Sequence, residues 1–198
     1  METLYTFEYS VLNWIQEVLR CDFLDTALKP VTYLGEAGIP LIILACVLLC
    51  FKKTRKAAFV AGLAMFYGVI IGNVILKPLV ARVRPYNNEA FAELIRVGRD
   101  AIVIRRPSDF SFPSGHTLAS FETAIGIFSC HKKWGIFAIA VAALIGFTRL
   151  YFYVHYFTDV LAGALLGTLF AVAAYYTVNA LEPSAVALWE KITTKKQA

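Results

Sequence analysis

Long apolar runs constrain this fold more than any other feature of the sequence. Residues 57–76 and 160–181 are almost wholly apolar, and Asn73 is the one strongly polar side chain of the first run. A helix needs about 20 apolar residues to cross the hydrocarbon core of a bilayer, so each run predicts a transmembrane helix. The composition agrees, because 17% of the residues are charged, whereas an average soluble domain carries about a quarter.

Three softer runs extend the pattern along the chain. Residues 37–51, 114–130 and 134–152 are apolar, apart from Glu122 in the second run and Arg149 in the third. A membrane bundle can hold one polar residue per helix against its neighbours. We therefore predict an all-α, polytopic membrane helical bundle with about five transmembrane helices, in a domain that spans residues 31–182.

The two ends of the chain differ from this core. In residues 1–30 apolar side chains recur at helical spacing, while Glu8 and Glu17 take the opposite face. This pattern is typical of an amphipathic helix that lies in the membrane interface. We expect the helix to end before Pro30, with a sixth transmembrane helix as the alternative. Residues 183–198 are expected to form a cytoplasmic C-terminal tail.

The basic residues set the expected topology. The short loops 52–56 and 131–133 and the C-terminal tail are rich in Lys and Arg, and such loops stay preferentially in the cytoplasm. Five spans then place the 77–113 and 148–159 loops on the extracytoplasmic side of the plasma membrane. The net charge of +5 does not predict nucleic-acid binding, because the basic residues flank apolar runs.

The first polar cluster ends one predicted span. Lys77 and Arg84 are seven residues apart and Pro85 follows. Seven residues make two helical turns, so the two cations point the same way if the helix continues until Pro85 stops it. A basic stop at a helix end is the simpler interpretation. However, the positive-inside bias gives no reason for cations on the outer side.

The second cluster, Pro113-Ser114-Gly115-His116, comes just before a predicted span. Free N–H groups at a helix N-terminus bind phosphate, and Gly115 allows the close approach of the backbone. Ser114 can donate a further hydrogen bond, and His116 can donate a proton near neutral pH. Taken alone, the same residues are merely a turn and a helix cap.

The third cluster lies between the last two predicted spans and contains Thr148, Arg149, His155 and Asp159. His155 and Asp159 are four residues apart, so the carboxylate can hold one imidazole nitrogen and leave the other free to attack. A His–Asp pair alone is often structural. An arginine at a membrane boundary, however, is costly without a function.

Together the clusters resemble the three motifs of the type-two phosphatidic acid phosphatase superfamily. The chain contains KxxxxxxRP from Lys77, PSGH from Pro113 and [S/T]RxxxxxHxxxD from Thr148, in that order. The resemblance covers about residues 35–181, and the family usually has Ser where Thr148 stands. The same motifs resemble those of vanadate-dependent haloperoxidases, which are larger and soluble.

The resemblance implies a role for each motif residue. His155 is expected to attack phosphorus and form a phosphohistidine, Asp159 to position it, and His116 to protonate the departing lipid oxygen. The implied phosphate-binding residues are Lys77, Arg84, Ser114, Gly115 and Arg149. The family works without a metal or other cofactor. The sequence agrees, since it has no carboxylate cluster that could hold Mg²⁺ with a phosphate and no Cys/His spacing typical of zinc.

The motifs do not read the lipid tail, so the substrate depends on analogy. Undecaprenyl diphosphate, cleaved to undecaprenyl phosphate, is the expected substrate, with phosphatidic acid or phosphatidylglycerol phosphate as the alternative. An anion-binding membrane transporter or scaffold is the alternative of a different class. The expected partners are a lipid phosphate or diphosphate substrate and the membrane lipids. Four loop arginines are either solvated charges or contacts to a second phosphate: Arg96, Arg99, Arg105 and Arg106.

Overall fold

The chain folds as a helical bundle. The computed structural model describes residues 2–96 and 104–195, with side chains as far as Glu182, and this part of the chain contains no strand. Arg99 and the end of the expected tail lie outside the described residues. The α-helices are α1 (Glu2–Val18), α2 (Asp22–Tyr33), α3 (Ile39–Leu49), α4 (Arg55–Tyr67), α5 (Lys77–Val80), α6 (Gly115–Cys130), α7 (Lys132–Tyr151) and α8 (Phe157–Lys195).

Two further helical segments join these elements. A π-helical segment, Gly68–Leu76, connects α4 to α5, and a 3₁₀ turn, Glu36–Gly38, connects α2 to α3. Two more 3₁₀ turns, Pro85–Asn87 and Glu89–Leu94, follow α5. Helix α8 continues into the expected tail and ends at Lys195.

Four segments are long and apolar enough to cross a bilayer, which agrees with the predicted membrane bundle. They are Asp22–Leu49, Arg55–Asn87, Lys132–Tyr151 and Phe157–Glu182. The fifth predicted span corresponds to α6, which is shorter at 16 residues and packs against α4, α7 and α8. Its buried face explains how this helix holds Glu122, which is 1% exposed.

The first 33 residues differ from the prediction. Two helices replace one, because Cys21 is extended (φ −156°, ψ 160°) between them. The expectation that the helix ends before Pro30 is wrong, since Pro30 lies inside α2. Proline favours a helix boundary without enforcing one, and proline-containing helices are the known exception.

The buried face of α1 also differs from the prediction. Glu8, Tyr9 and Leu12 are buried, whereas the apolar Phe7 and Trp14 are about half exposed. Glu8 was expected to face water but is fully buried, because Arg82 reaches it from the end of the α4–α5 segment. The apolar stripe of α1 therefore faces away from the protein.

Candidate active site

His155 lies in the short loop between α7 and α8 and is 1% exposed. Its Nδ1 is 3.5 Å from Oδ2 of Asp159, which is fully buried in the first turn of α8. Asp159 is itself held in place, because the backbone N–H of Tyr156 donates to Oδ2 at 2.9 Å and the Ser111 hydroxyl donates to the same oxygen. The predicted His–Asp pair therefore exists as a geometric unit.

The charge of His155 follows from its burial. Burial lowers the pKa of His155 to about 3, against the opposing effect of the Asp159 carboxylate, so the imidazole is neutral at pH 7. Nη1 of Arg84 lies 3.1 Å from His155 Nε2. Because a guanidinium can only donate, Nε2 accepts this hydrogen bond and the imidazole proton resides on Nδ1. Nε2 therefore has the lone pair that a nucleophile needs.

Lys77 and Arg84 converge, but not along a continuous helix. The helix ends at Val80, and Ala81 takes a left-handed conformation (φ 48°). The expectation that the helix continues until Pro85 stops it is therefore wrong. The chain after Ala81 is non-helical, and both cations reach Asp109, with Nη2 of Arg84 at 2.7 Å from Oδ1 and Lys77 bound to Oδ2.

Arg84 is fixed by the backbone as well as by Asp109. Its Nε donates to the Asp109 carbonyl oxygen and its Nη1 donates to the Val154 carbonyl oxygen, both at 2.7 Å. The side chain is 4% exposed. The guanidinium is therefore held beside His155 before any substrate arrives.

Asp109 is a site residue that the sequence analysis did not single out. Burial raises its pKa, but Lys77 and Arg84 outweigh that effect and lower the pKa to about 2. Its carboxylate, half exposed, bridges the two cations where an anion would bind. Its only sequence signal is its position among the arginines of the long loop before α6.

Arg149 lies in the last turn of α7 and is 1% exposed. Its Nη1 donates to Thr32 Oγ1 of α2 at 2.5 Å. Its Nε has no hydrogen-bond partner, which is unusual for a buried guanidinium. An anion in the adjoining cavity is the natural partner for this group.

Ser114, Gly115 and His116 begin α6. Ser114 is the N-cap residue, is fully buried, and donates its backbone N–H to the Asp159 carbonyl oxygen at 3.1 Å. A Cβ at Gly115 would lie 3.9 Å from Lys77 Nζ, so this glycine is next to the first cation. Nε2 of His116 lies 3.2 Å from Oε2 of Glu36.

The three motifs meet around one cavity of about 640 Å³. Six predicted site residues line it: Lys77, Arg84, Gly115, His116, Arg149 and His155. The other two, Ser114 and Asp159, are fully buried and bonded to each other through the backbone, so they support the lining residues rather than face the cavity. Glu36 and Asn73 also line the cavity.

The loop arginines separate into two groups. Arg105 and Arg106 line the cavity next to Asp109, whereas Arg96 pairs with Glu17 on the exposed surface. The solvated-charge interpretation therefore fits Arg96, and a substrate contact is geometrically possible for the other two.

Arg82 is the second group that the sequence analysis missed. Its Nη1 is 2.6 Å from Asp159 Oδ1 and its Nη2 is 3.1 Å from Glu8 Oε1. Its guanidinium carbon also lies 4.0 Å from the centre of the Tyr156 ring. Because Arg82 belongs to the same basic run as Arg84, its charge was visible in the sequence, but its direction was not.

Comparison with known proteins decides the family, because residues 56–183 match the PAP2 superfamily. The chain belongs to the PAP2 superfamily. It is therefore an integral membrane protein, and its three motifs agree with this family.

Three relatives illustrate the range of the family. The chain is 34% identical to an undecaprenyl-diphosphatase of Sulfolobus acidocaldarius over 61% of its own length and 55% of that protein's length. It is 34% identical to the bacitracin transport permease protein BcrC of Bacillus licheniformis, over 83% and 80% of the two chains. It is 33% identical to phosphatidylglycerophosphatase B of Bacillus subtilis, over 77% and 74%. The chain thus spans little more than half of the first relative.

A solved PAP2 structure has the same fold. The crystal structure of LpxE from Aquifex aeolicus superimposes with a TM-score of 0.70 at 25% identity, over 85% of this chain and 94% of that one. The two chains therefore share the helical fold described above.

Proposed function

We propose that this protein hydrolyses the terminal phosphate of undecaprenyl diphosphate by a metal-independent mechanism with a phosphohistidine intermediate on His155. The observation that carries the proposal is the placement of the His155 imidazole between Arg84 and Asp159. Its Nε2 carries a lone pair beside Arg84, while its Nδ1 side is backed by Asp159.

In the first step, one bond to phosphorus forms and another bond to phosphorus breaks. Nε2 of His155 attacks the terminal phosphorus, and the bond between that phosphorus and the bridging oxygen of the diphosphate breaks, so that undecaprenyl phosphate departs. His116, which lines the same cavity, gives its proton to that oxygen. Water then attacks the phosphohistidine, loses a proton to His116, and orthophosphate leaves.

The cations provide the electrostatic part of the catalysis. Lys77, Arg84 and Arg149 line the cavity, where their N–H groups can hold the oxygens of the transferring phosphoryl group. The N-terminus of α6 adds backbone donors. Removing one such preorganised donor typically costs about 3 kcal/mol, or about a hundredfold in rate.

Two observations favour a diphosphate substrate: the name of one relative and the number of arginines that line the cavity. The Sulfolobus acidocaldarius relative is named for undecaprenyl diphosphate. In addition, Arg105 and Arg106 line the same cavity as the first three cations, where their guanidinium groups can bind a second phosphate. Phosphatidylglycerol phosphate is the second candidate, because a relative of similar identity is a phosphatidylglycerophosphatase.

The decisive experiment measures phosphate release in detergent with excess EDTA. The substrates are undecaprenyl diphosphate, phosphatidylglycerol phosphate and phosphatidic acid. We expect the diphosphate to give the highest kcat/KM, His155→Ala to abolish turnover, and His116→Ala to leave little. Both variants should still bind the lipid.

The opposite results are equally informative. Wild-type activity that EDTA removes would overturn the metal-independent mechanism. Full activity of His155→Ala would overturn the nucleophile assignment. Inactivity of the wild type towards every lipid would favour an anion-binding transporter or scaffold.

A further inference from the structure

The junction between α2 and α3 packs directly on His116. A Cβ at Gly35 would lie 3.0 Å from His116 Cδ2 and 3.1 Å from Ile145 Cγ2. These distances are shorter than ordinary contacts, so a residue without a side chain allows the junction to come this close. The next residue, Glu36, places Oε2 at 3.2 Å from His116 Nε2.

The backbone of the junction has an uncommon conformation. Ala37 and Gly38 both have positive φ angles, 49° and 70°. A positive φ is uncommon for a residue with a side chain, and such residues concentrate at functional sites. The turn ends α2, restarts the helix at Ile39, and leaves Glu36 as part of the cavity lining.

The positive charges around His116 explain why a contact with the Glu36 carboxylate would matter. Lys77, Arg84 and Arg149 line the same cavity together with Arg105 and Arg106, so a proton on His116 adds one more positive charge to these five. Asp109 is already bound to Lys77 and Arg84. Glu36 is the carboxylate that lies within hydrogen-bond distance of the His116 imidazole.

We propose that Glu36 is a positioning residue for His116, forming a second histidine–carboxylate pair beside His155 and Asp159. The inference rests on the proposed function, in which His116 is the general acid. The Glu36 carboxylate accepts the Nε2–H and stabilises the imidazolium, as the carboxylate of a catalytic triad does. The proton that is transferred then resides on Nδ1.

The proton balance is complete with these groups. As Nε2 of His155 bonds to phosphorus and the bond to the lipid oxygen breaks, Nδ1 of His116 protonates that oxygen. His116 is left neutral, with its Nε2–H still bound to Glu36. In the second step Nδ1 takes a proton from the attacking water, which restores the imidazolium.

Substrates with different leaving groups distinguish a positioning role of Glu36 from a merely structural one. An alkoxide is a strong base and needs a proton as it departs, whereas an aryl oxide such as p-nitrophenolate does not. We expect Glu36→Gln to lower kcat on a short-chain phosphatidic acid by about tenfold or more. On p-nitrophenyl phosphate, the single-turnover rate of p-nitrophenolate release, which reports the first step alone, should remain within about twofold of the wild type, which also shows that the variant is folded.

Two controls define the result. Glu182→Gln changes a carboxylate that pairs with Lys56 elsewhere in the bundle, and it should leave both rates unchanged. In His116→Ala, adding Glu36→Gln should cause no further loss, because the two residues act as a unit.

Each other outcome overturns a specific claim. Equal losses on both substrates, or losses that add in the double variant, would make Glu36 structural. An unchanged rate in Glu36→Gln would remove it from the mechanism. Inactivity of the wild type on every phosphate ester would instead refute the proposed function itself.

Discussion

At the residue scale, His155 shows how burial and a charged neighbour oppose each other. Burial lowers the pKa of the imidazole, the Asp159 carboxylate raises it, and the result is a pKa of about 3. A lowered pKa means that the neutral form persists far below the ordinary pKa of about 6.5. The carboxylate therefore orients the ring without charging it.

This pKa predicts the shape of the pH–rate profile. The proposed mechanism requires a neutral His155 and a protonated His116, so kcat should be bell-shaped. Because His155 gains a proton only near pH 3, its acid limb should lie well below pH 6.5. Burial and the nearby cations lower the pKa of His116, so the alkaline limb should report loss of the His116 proton in the complex, where the negative charge of the bound phosphate offsets those cations. The contrary result is an acid limb with a midpoint near pH 6.5. If that limb disappears when only the hydrolysis of the phosphohistidine is measured, His155 titrates with an ordinary pKa.

Replacing Arg82 with alanine should lower both the stability and the activity of the protein. It is buried between Asp159 and Glu8, so Arg82→Ala leaves two buried carboxylates without their cation. Breaking such a pair typically costs about 3–5 kcal/mol, and we expect a lower Tm in detergent together with reduced kcat.

Arg96→Ala is the matched control for Arg82. Its partner is Glu17 and both side chains are more than half exposed, and exposed pairs contribute about 1 kcal/mol or less. If the two alanine variants lose Tm and kcat equally, the Arg82 contacts have no special role.

At the scale of elements, the close packing of α6 and α8 joins two motifs. Gly163 of α8 faces the start of α6, where an added Cβ would lie 2.8 Å from the Ser114 carbonyl oxygen. The same helices bring the Ser114 N–H to the Asp159 carbonyl oxygen. The distance between the PSGH motif and the His–Asp pair thus depends on a small residue at this crossing.

Gly163→Ala should therefore impair catalysis. The added methyl group forces α6 and α8 apart, and displacement of catalytic groups by about 1 Å can cost a hundredfold in rate. Gly62→Ala is the control, because a Cβ there meets no atom within 4 Å. We expect it to keep full activity and to stabilise α4 slightly. Equal activities of the two variants would refute the claim.

The N-terminal elements have two different faces. The buried face of α1 carries Glu8 to Arg82, while its exposed apolar stripe includes Phe7, Trp14 and Val18. Such a stripe suits contact with lipid. The interfacial position of α1 stays a prediction.

At the scale of the whole molecule, the catalytic unit is larger than the segment that matches the family. The match begins at residue 56, but three residues before it contact site groups. Glu8 binds Arg82, Thr32 binds Arg149, and Glu36 binds His116. The first third of the chain therefore completes the cavity.

The orientation of the molecule in the membrane predicts a labelling pattern. The short basic loops favour a cytoplasmic position for Lys132, with the cavity and the exposed Glu89 outside. In a variant without native cysteines, we expect Glu89→Cys to react with an impermeant maleimide on intact cells. Lys132→Cys should react only after lysis. The reverse pattern would place the cavity in the cytoplasm.

The sequence by itself determined the class of fold and the six motif residues that line the cavity. The length of an apolar run is a local property, so the bundle could be predicted from segments such as 57–76 and 160–181. The motif residues could be predicted because their side-chain chemistry suits phosphate and because three motifs matched a known family.

Only the tertiary structure decided which polar groups support that lining. Ala81 turns the chain towards Asp109, Glu8 is buried by Arg82, and Glu36 meets His116 across 80 residues of sequence. The contacts of Glu8 and Glu36 join segments that are distant in the chain. No local pattern encodes such contacts, because they form only after the helices have packed.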